Sequence, residues 1–181
     1  RNNKYPPRNL TAQRECQKEL NEVIRLKAQA TGKDKNRPIV SVFTHEDGTV
    51  SVGISGNSEA SAKFAEDLEK SLNKDGRRKY YVSGLATQEF KNYLKSHHVF
   101  SEDVKELGGK DIGFCAEPKA AIMANSNKSP ITGMDTRNPR NNNRYSYEGI
   151  DKTSSKQMEP CTTCYLCEQD YMEYANEKTN N

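Results

Sequence analysis

Two short segments of this 181-residue chain carry reactive side chains at metal-ligand spacing. One is Cys115-Ala116-Glu117, followed by Pro118. The other is Pro160-Cys161-Thr162-Thr163-Cys164, with Cys167 three residues further on. Cys161 and Cys164 are three apart, so on a helix they share a face and both sulfurs can reach one ion. A helix N-terminus carries positive partial charge, which favours the thiolate that each ligand must become. Cys115, at the start of another helix, would supply a third ligand. Three protein ligands leave the fourth tetrahedral position of a zinc ion for water, as in catalytic zinc sites.

Glu117 lies two residues from a ligand and need not bind the metal. Zinc lowers the pKa of its water toward ~7. Glu117 could take that water's proton, protonate a ring nitrogen and then pass a proton to a departing amine. A His or Cys two residues before a Glu, followed later by Pro-Cys-x-x-Cys, is the pattern of hydrolytic base deamination at C4 of cytosine or C6 of adenine. Each half alone is weak, since Cys-x-x-Cys occurs in many unrelated sites. The two in this order, each opening a helix, are much more specific.

The run Gly113-Phe114-Cys115-Ala116-Glu117-Pro118-Lys119-Ala120 resembles the first motif of the YwqJ-like deaminases. These are a branch of the cytidine deaminase-like superfamily found among bacterial polymorphic toxins. Pro160 to Cys164 matches the second superfamily motif, and the resemblance is concentrated in these two segments. It implies a three-layer α/β/α sandwich of the cytidine deaminase-like type and one Zn2+, held by Cys115, Cys161 and Cys164, with Glu117 as proton shuttle. It also implies a C-terminal toxin domain of a larger secreted protein, acting in the target-cell cytoplasm on a nucleobase in nucleic acid or nucleotide. A cognate immunity protein follows from the same resemblance, and a monomer is expected. Better-known deaminases have His at the first ligand position, whereas Cys115 adds negative charge and should make the zinc a weaker acid.

The competing reading is a non-catalytic interaction module stapled by a closed four-cysteine zinc site. On a continuous helix, however, Cys161 and Cys167 are about 600° of turn apart, roughly 120° from alignment. Cys167 is therefore expected to pack against the helix behind it, and Cys16 to be a buried or semi-exposed thiol. Deamidation by a Cys nucleophile needs a paired His. No motif surrounds His45, His97 or His98, which are expected at exposed positions. Substrate contacts are expected from Arg137, Arg140 and Arg144, interleaved with Tyr145 and Tyr147 in a stretch without acids. Arginines can clamp phosphates there and tyrosines can stack bases.

Those residues need elements to position them. Leu20, Val23, Ile24 and the stem of Lys27 fall on one stripe of a helix from Thr11 to Ala30, which Gly32 stops. Val40 and Val42, then Val50, Val52 and Ile54, alternate around Asp47-Gly48, which predicts a hairpin with a tight primed turn. Ser58 caps a helix to about Asn73. Tyr80-Tyr81-Val82 reads as a short strand and Thr87 to Ser96 as a helix. Pro118 suits the first turn of a helix that ends near Asn125. Residues 126–159 read as a long polar loop, and Pro160 opens a last helix to about Asn176.

Bulk composition sets the limits. Leu, Ile, Val and Phe make up only about 16% of the chain, below the rough 20% that marks disorder-prone sequences. Lys+Arg 28 against Asp+Glu 25 leaves only +3, so the high net charge of disorder is missing. From Asn141 to Asn181 only Ile150 and Leu166 belong to those four types. Such a segment needs a staple, and a metal would be one. A pI near 8.5 allows an anionic substrate without demanding one. No apolar run approaches ~18 residues, which excludes a membrane-spanning helix. Residues 1–10 read as a linker or tail without an apolar signal region, ahead of a single domain over 11–181.

Overall fold

The computed structural model describes residues 10–31, 38–76, 79–109, 112–138, 143–145 and 162–177. Their chain order is α1 (Leu10–Thr31), β1 (Val40–His45), β2 (Val50–Ile54), α2 (Glu59–Leu72), β3 (Tyr80–Ser83), α3 (Gln88–Ser96), α4 (Ser101–Glu106), α5 (Ala116–Ser126), β4 (Ile131–Asn138), β5 (Asn143–Tyr145) and α6 (Thr162–Asn176). The fold is mixed α/β: one five-stranded sheet, order β3-β2-β1-β4-β5, with helices on both faces. Among the described residues no helix is long and apolar enough to cross a membrane.

The alternation read from the hairpin sorts side chains between two cores. Val40, Val42, Val50, Val52 and Ile54 face α1 and α2, where they meet Cys16, Leu20, Val23, Leu68 and Leu72. Lys27 extends the α1 stripe as expected, fully buried with its Nζ 5.8 Å from the Phe64 ring centroid. Phe43 and Met134 point the other way, into a core completed by α3, α4, α5 and α6. With helices on both faces, every residue of β1 and β2 is buried.

Among the described strands only β2 and β3 pair in parallel, because α2 carries the chain across between them. Ser58 caps α2 in a reciprocal capping box with Ser61. The far edge of β3 is sealed by α2 itself. Asn73 bonds both the N–H and the carbonyl of Tyr80, at 2.7 and 2.9 Å, and Glu69 accepts from the Val82 N–H at 2.9 Å. Those side chains cover an edge that could otherwise pair with another strand.

Three expectations need correction. The hairpin turn is not a primed two-residue turn, which would need positive φ at both central residues. His45 and Thr49 close a three-residue loop in which Gly48 alone has positive φ, at 86°. His45 is buried rather than exposed: its Nδ1 donates to the Ser129 carbonyl at 2.9 Å, and its Nε2 meets the Ser51 hydroxyl at 2.7 Å. Burial holds its pKa below the ordinary value. Finally, residues 126–159 are not wholly a loop, since β4 and β5 lie within them. β4 sits beside β1, with Ser41 and Thr136 hydroxyls 2.7 Å apart. A register shift at Thr44/His45 breaks the alternation: Ile131 joins Met134 in the α5-side core, while Gly133 and Asp135 face Cys16 of α1, so the segment lacks the strict apolar alternation that marks a strand.

One close approach sets the position of α5. A Cβ at Gly53 would collide with the Ala116 carbonyl and the Ala120 amide, so the backbone of α5 rests directly on β2. Gly53→Ala should therefore destabilise the fold by about 3 kcal/mol or more, through forced displacement of a packed helix. Urea denaturation checks this, and a loss under about 0.5 kcal/mol, as for a free surface site, would contradict the close approach.

Candidate metal centre and catalytic site

The first motif opens α5. Cys115 is its N-cap in extended conformation, half-buried and making no side-chain cap bond to the helix. Ala116, Glu117, Pro118, Lys119, Ala120, Ala121, Ile122, Ala124 and Asn125 are all buried. A helix buried on all sides is normally apolar throughout. Here Ala supplies the small contact surfaces, while Glu117 at 4% exposure and Lys119 at 0% put two ionisable groups into the interior of the first turns. Position in the first turn suits Glu117, because the helix N-terminus favours a carboxylate.

The second motif leads into α6, which packs along α5. Asn125, at the end of α5, donates from Nδ2 to the Tyr174 carbonyl at 2.9 Å and to the Glu177 carboxylate at 3.1 Å. The two helices are tied at their C-terminal ends and packed along their length, so they run parallel. Cys115 lies ten residues before Asn125, and Cys164 ten before Tyr174. At 1.5 Å per residue both positions stand about 15 Å back from the tie, at the same end of the helix pair and the same level. α3 backs the pair: Phe90 lies 5.8 Å from Tyr171 and 5.0 Å from Tyr174 between ring centroids, and Tyr93 lies 4.8 Å from Tyr174.

Other expected site residues are distributed as follows. Cys161, Arg140 and Tyr147 lie outside the described residues, and Cys164, Arg144 and Tyr145 are placed by their backbone. β5 pairs Arg144 with Arg137 and Tyr145 with Thr136. Arg137 belongs to the opposite side of the sheet from α5: its Nη1 donates to Asn21 of α1 at 2.6 Å. Its strand parity, shared with Gly133 against Cys16, explains that placement. Cys167 is 1% exposed within the core around α5 and α6, packed as expected. Cys16 is fully buried on the α1 side, where burial and the Asp135 charge push its thiol pKa far up. That thiol is inert at neutral pH. His97 and His98 are exposed, as expected.

Among the described residues no three His, Cys, Asp or Glu side chains gather around a point. Of the expected ligands only Cys115 has its side chain described, so compatibility with zinc rests on the donor chemistry and on helix placement. A half-buried thiol at a helix N-terminus, beside a second helix whose first turn carries Cys164, suits a soft divalent ion. Three contributors were not foreseen: Gly53, Lys119 and Asn125. Gly53 lies inside an alternating strand, a position that commonly marks close backbone approach. Lys119 and Asn125 lack any comparable sequence signal.

No family model, curated protein or solved structure matches the chain.

The parallel arrangement has a direct test. Asn125→Ala removes the amide that reaches Tyr174 and should cost about 1 kcal/mol, since the Tyr174 carbonyl keeps the Glu177 N–H but loses its link to α5. Hydrogen exchange should quicken most in the last turn of α6. Unchanged stability together with unchanged exchange there would argue against the tie.

Proposed function

We propose that the chain is a zinc-dependent hydrolytic deaminase of a nucleobase, of the cytosine or adenine class. The proposal includes a cytidine deaminase-like arrangement of the sandwich and a role as the C-terminal toxin domain of a larger secreted protein. On this reading it acts in the target-cell cytoplasm and is restrained in the producing cell by an immunity protein. The observation that carries the catalytic part is the parallel pairing of α5 and α6, which brings Cys115 and Cys164 to one level.

Cys115, Cys161 and Cys164 would hold the metal, which when bound supplies an acidified water for attack on C4 of cytosine or C6 of adenine. The rest of the chemistry falls to Glu117. In this role its carboxylate takes the proton of the attacking water and delivers it to the ring nitrogen next to the reacting carbon. It then carries a proton to the exocyclic amine, which departs as ammonia, so that amino base plus water gives oxo base plus ammonia. Burial suits the task, because it keeps the carboxylate away from bulk water at the start of α5. The burial of Cys167 in the core favours a three-ligand site over a closed four-cysteine staple.

The experiment is ammonia release by the purified, zinc-loaded chain from single- and double-stranded DNA, RNA and free nucleotides. One substrate class should release ammonia, and Glu117→Gln should reduce the rate by about 10²–10⁴-fold, the contribution of a general acid–base group. Absence of release from every substrate would sink the reading. So would a Glu117→Gln variant as active as the wild type.

A further inference from the structure

Lys119 is a fully buried cation that the proposed reaction does not use. An ammonium withdrawn from water is costly unless hydrogen-bonded, and this one is bonded in a particular way. Its Nζ donates to the Gly113 carbonyl at 2.6 Å, to the Phe114 carbonyl at 2.7 Å and to the Gly56 carbonyl. Gly113 and Phe114 belong to the turn that delivers Cys115. Gly56 belongs to the loop that leaves β2 for α2. The same two segments are joined again by the Gly56 N–H, which donates to the Phe114 carbonyl at 2.7 Å.

The three N–H groups of the ammonium are thus matched to three carbonyls from two loops. The cation lies one helical turn beyond Cys115 and two residues beyond Glu117. It ties the turn carrying both groups to the rigid end of β2, where Gly53 already fixes the start of α5. Phe114, whose ring centroid lies 5.9 Å from the ammonium, is left 39% exposed beside Cys115. The chain has invested a buried charge in the geometry of one turn, and that turn bears a ligand and the acid–base group of the proposed site.

We infer that Lys119 is a positioning residue, which sets the Cys115–Glu117 turn by clamping the Gly113, Phe114 and Gly56 carbonyls. The inference deepens the deaminase reading and, for its effect on metal, rests on it. Groups that orient a ligand from behind are commonly worth tenfold or more in metal affinity.

The test compares wild type with Lys119→Met, which keeps the length of the side chain and removes its donors. Two quantities are measured on the full chain: exchange of the Gly56 amide, and cobalt(II) affinity by titration. The variant is expected to exchange the Gly56 amide about tenfold faster while the amides of β1 keep their protection, a local opening rather than a global one. Its cobalt dissociation constant is expected to rise about 10–100-fold. Unchanged Gly56 exchange overturns the clamp. Faster exchange with cobalt affinity within about twofold of wild type overturns the positioning role and leaves a merely structural tie. A wild-type chain that binds no cobalt refutes the metal reading and the effect on metal with it, while the Gly56 measurement still decides the clamp. If Lys119→Met does not fold, Lys119→Gln, with two N–H donors, takes its place under the same criteria. Failure of both to fold overturns the positioning role, since Lys119 would then serve the core as a whole.

Discussion

α5 lies on β2 with no room for a side chain at Gly53, and the other interior features follow from that contact. A helix pressed so closely on a sheet must be small on the contact face, which Ala116, Ala120, Ala121 and Ala124 supply. Its opposite side is then covered by α6, which Asn125 ties at the C-terminal end. The apolar area available from alanines is modest, so specificity comes from polar ties in the interior, namely Asn125 at one end and Lys119 at the other. Each buried polar group is costly if unmatched, and each is matched.

That arrangement also decides where chemistry can happen. Two parallel helices with their C-terminal ends joined present their N-terminal ends together, and aligned N-termini favour negative charge. Thiolates and a carboxylate are the groups that such a place stabilises, and the chain puts Cys115 and Glu117 there. On the other face of the sheet the chemistry is quiet. Cys16 is buried with a raised thiol pKa, and Glu19 accepts from the Tyr80 hydroxyl at 2.5 Å, a link between α1 and β3.

The parts legible in the sequence are those whose local pattern and tertiary role coincide. The valines of β1 and β2 alternate because helices cover one face with apolar residues, and Ser58 and Thr87 mark helix starts because each accepts a backbone N–H. β4 escaped because, beside Ile131 and Met134, it buries Gly133, Asp135 and Thr136, which owe their burial to neighbours rather than to hydropathy, and a register shift breaks its alternation. α4 escaped because it is short and buries only Val104. In the proposed site, the Cys and Glu spacings stand out in the sequence because metal and acid–base chemistry would constrain residue type. The tie made by Lys119 was not, because its partners are backbone carbonyls and leave no trace in residue identity.

The sparse apolar content of the last quarter of the chain also finds a place in this account. α6 is held by aromatic packing on α3 and by the α5 tie, and a metal shared between the two helix starts would secure its N-terminal end. The most direct measurement is the absorption spectrum of the cobalt(II)-substituted chain, recorded for the wild type and for Cys115→Ser and Cys164→Ser. The account predicts thiolate-to-cobalt charge-transfer bands in the wild type that lose intensity in both variants, since one ion draws a ligand from each helix. A spectrum indifferent to Cys115→Ser would place the metal on the second motif alone and contradict the shared site.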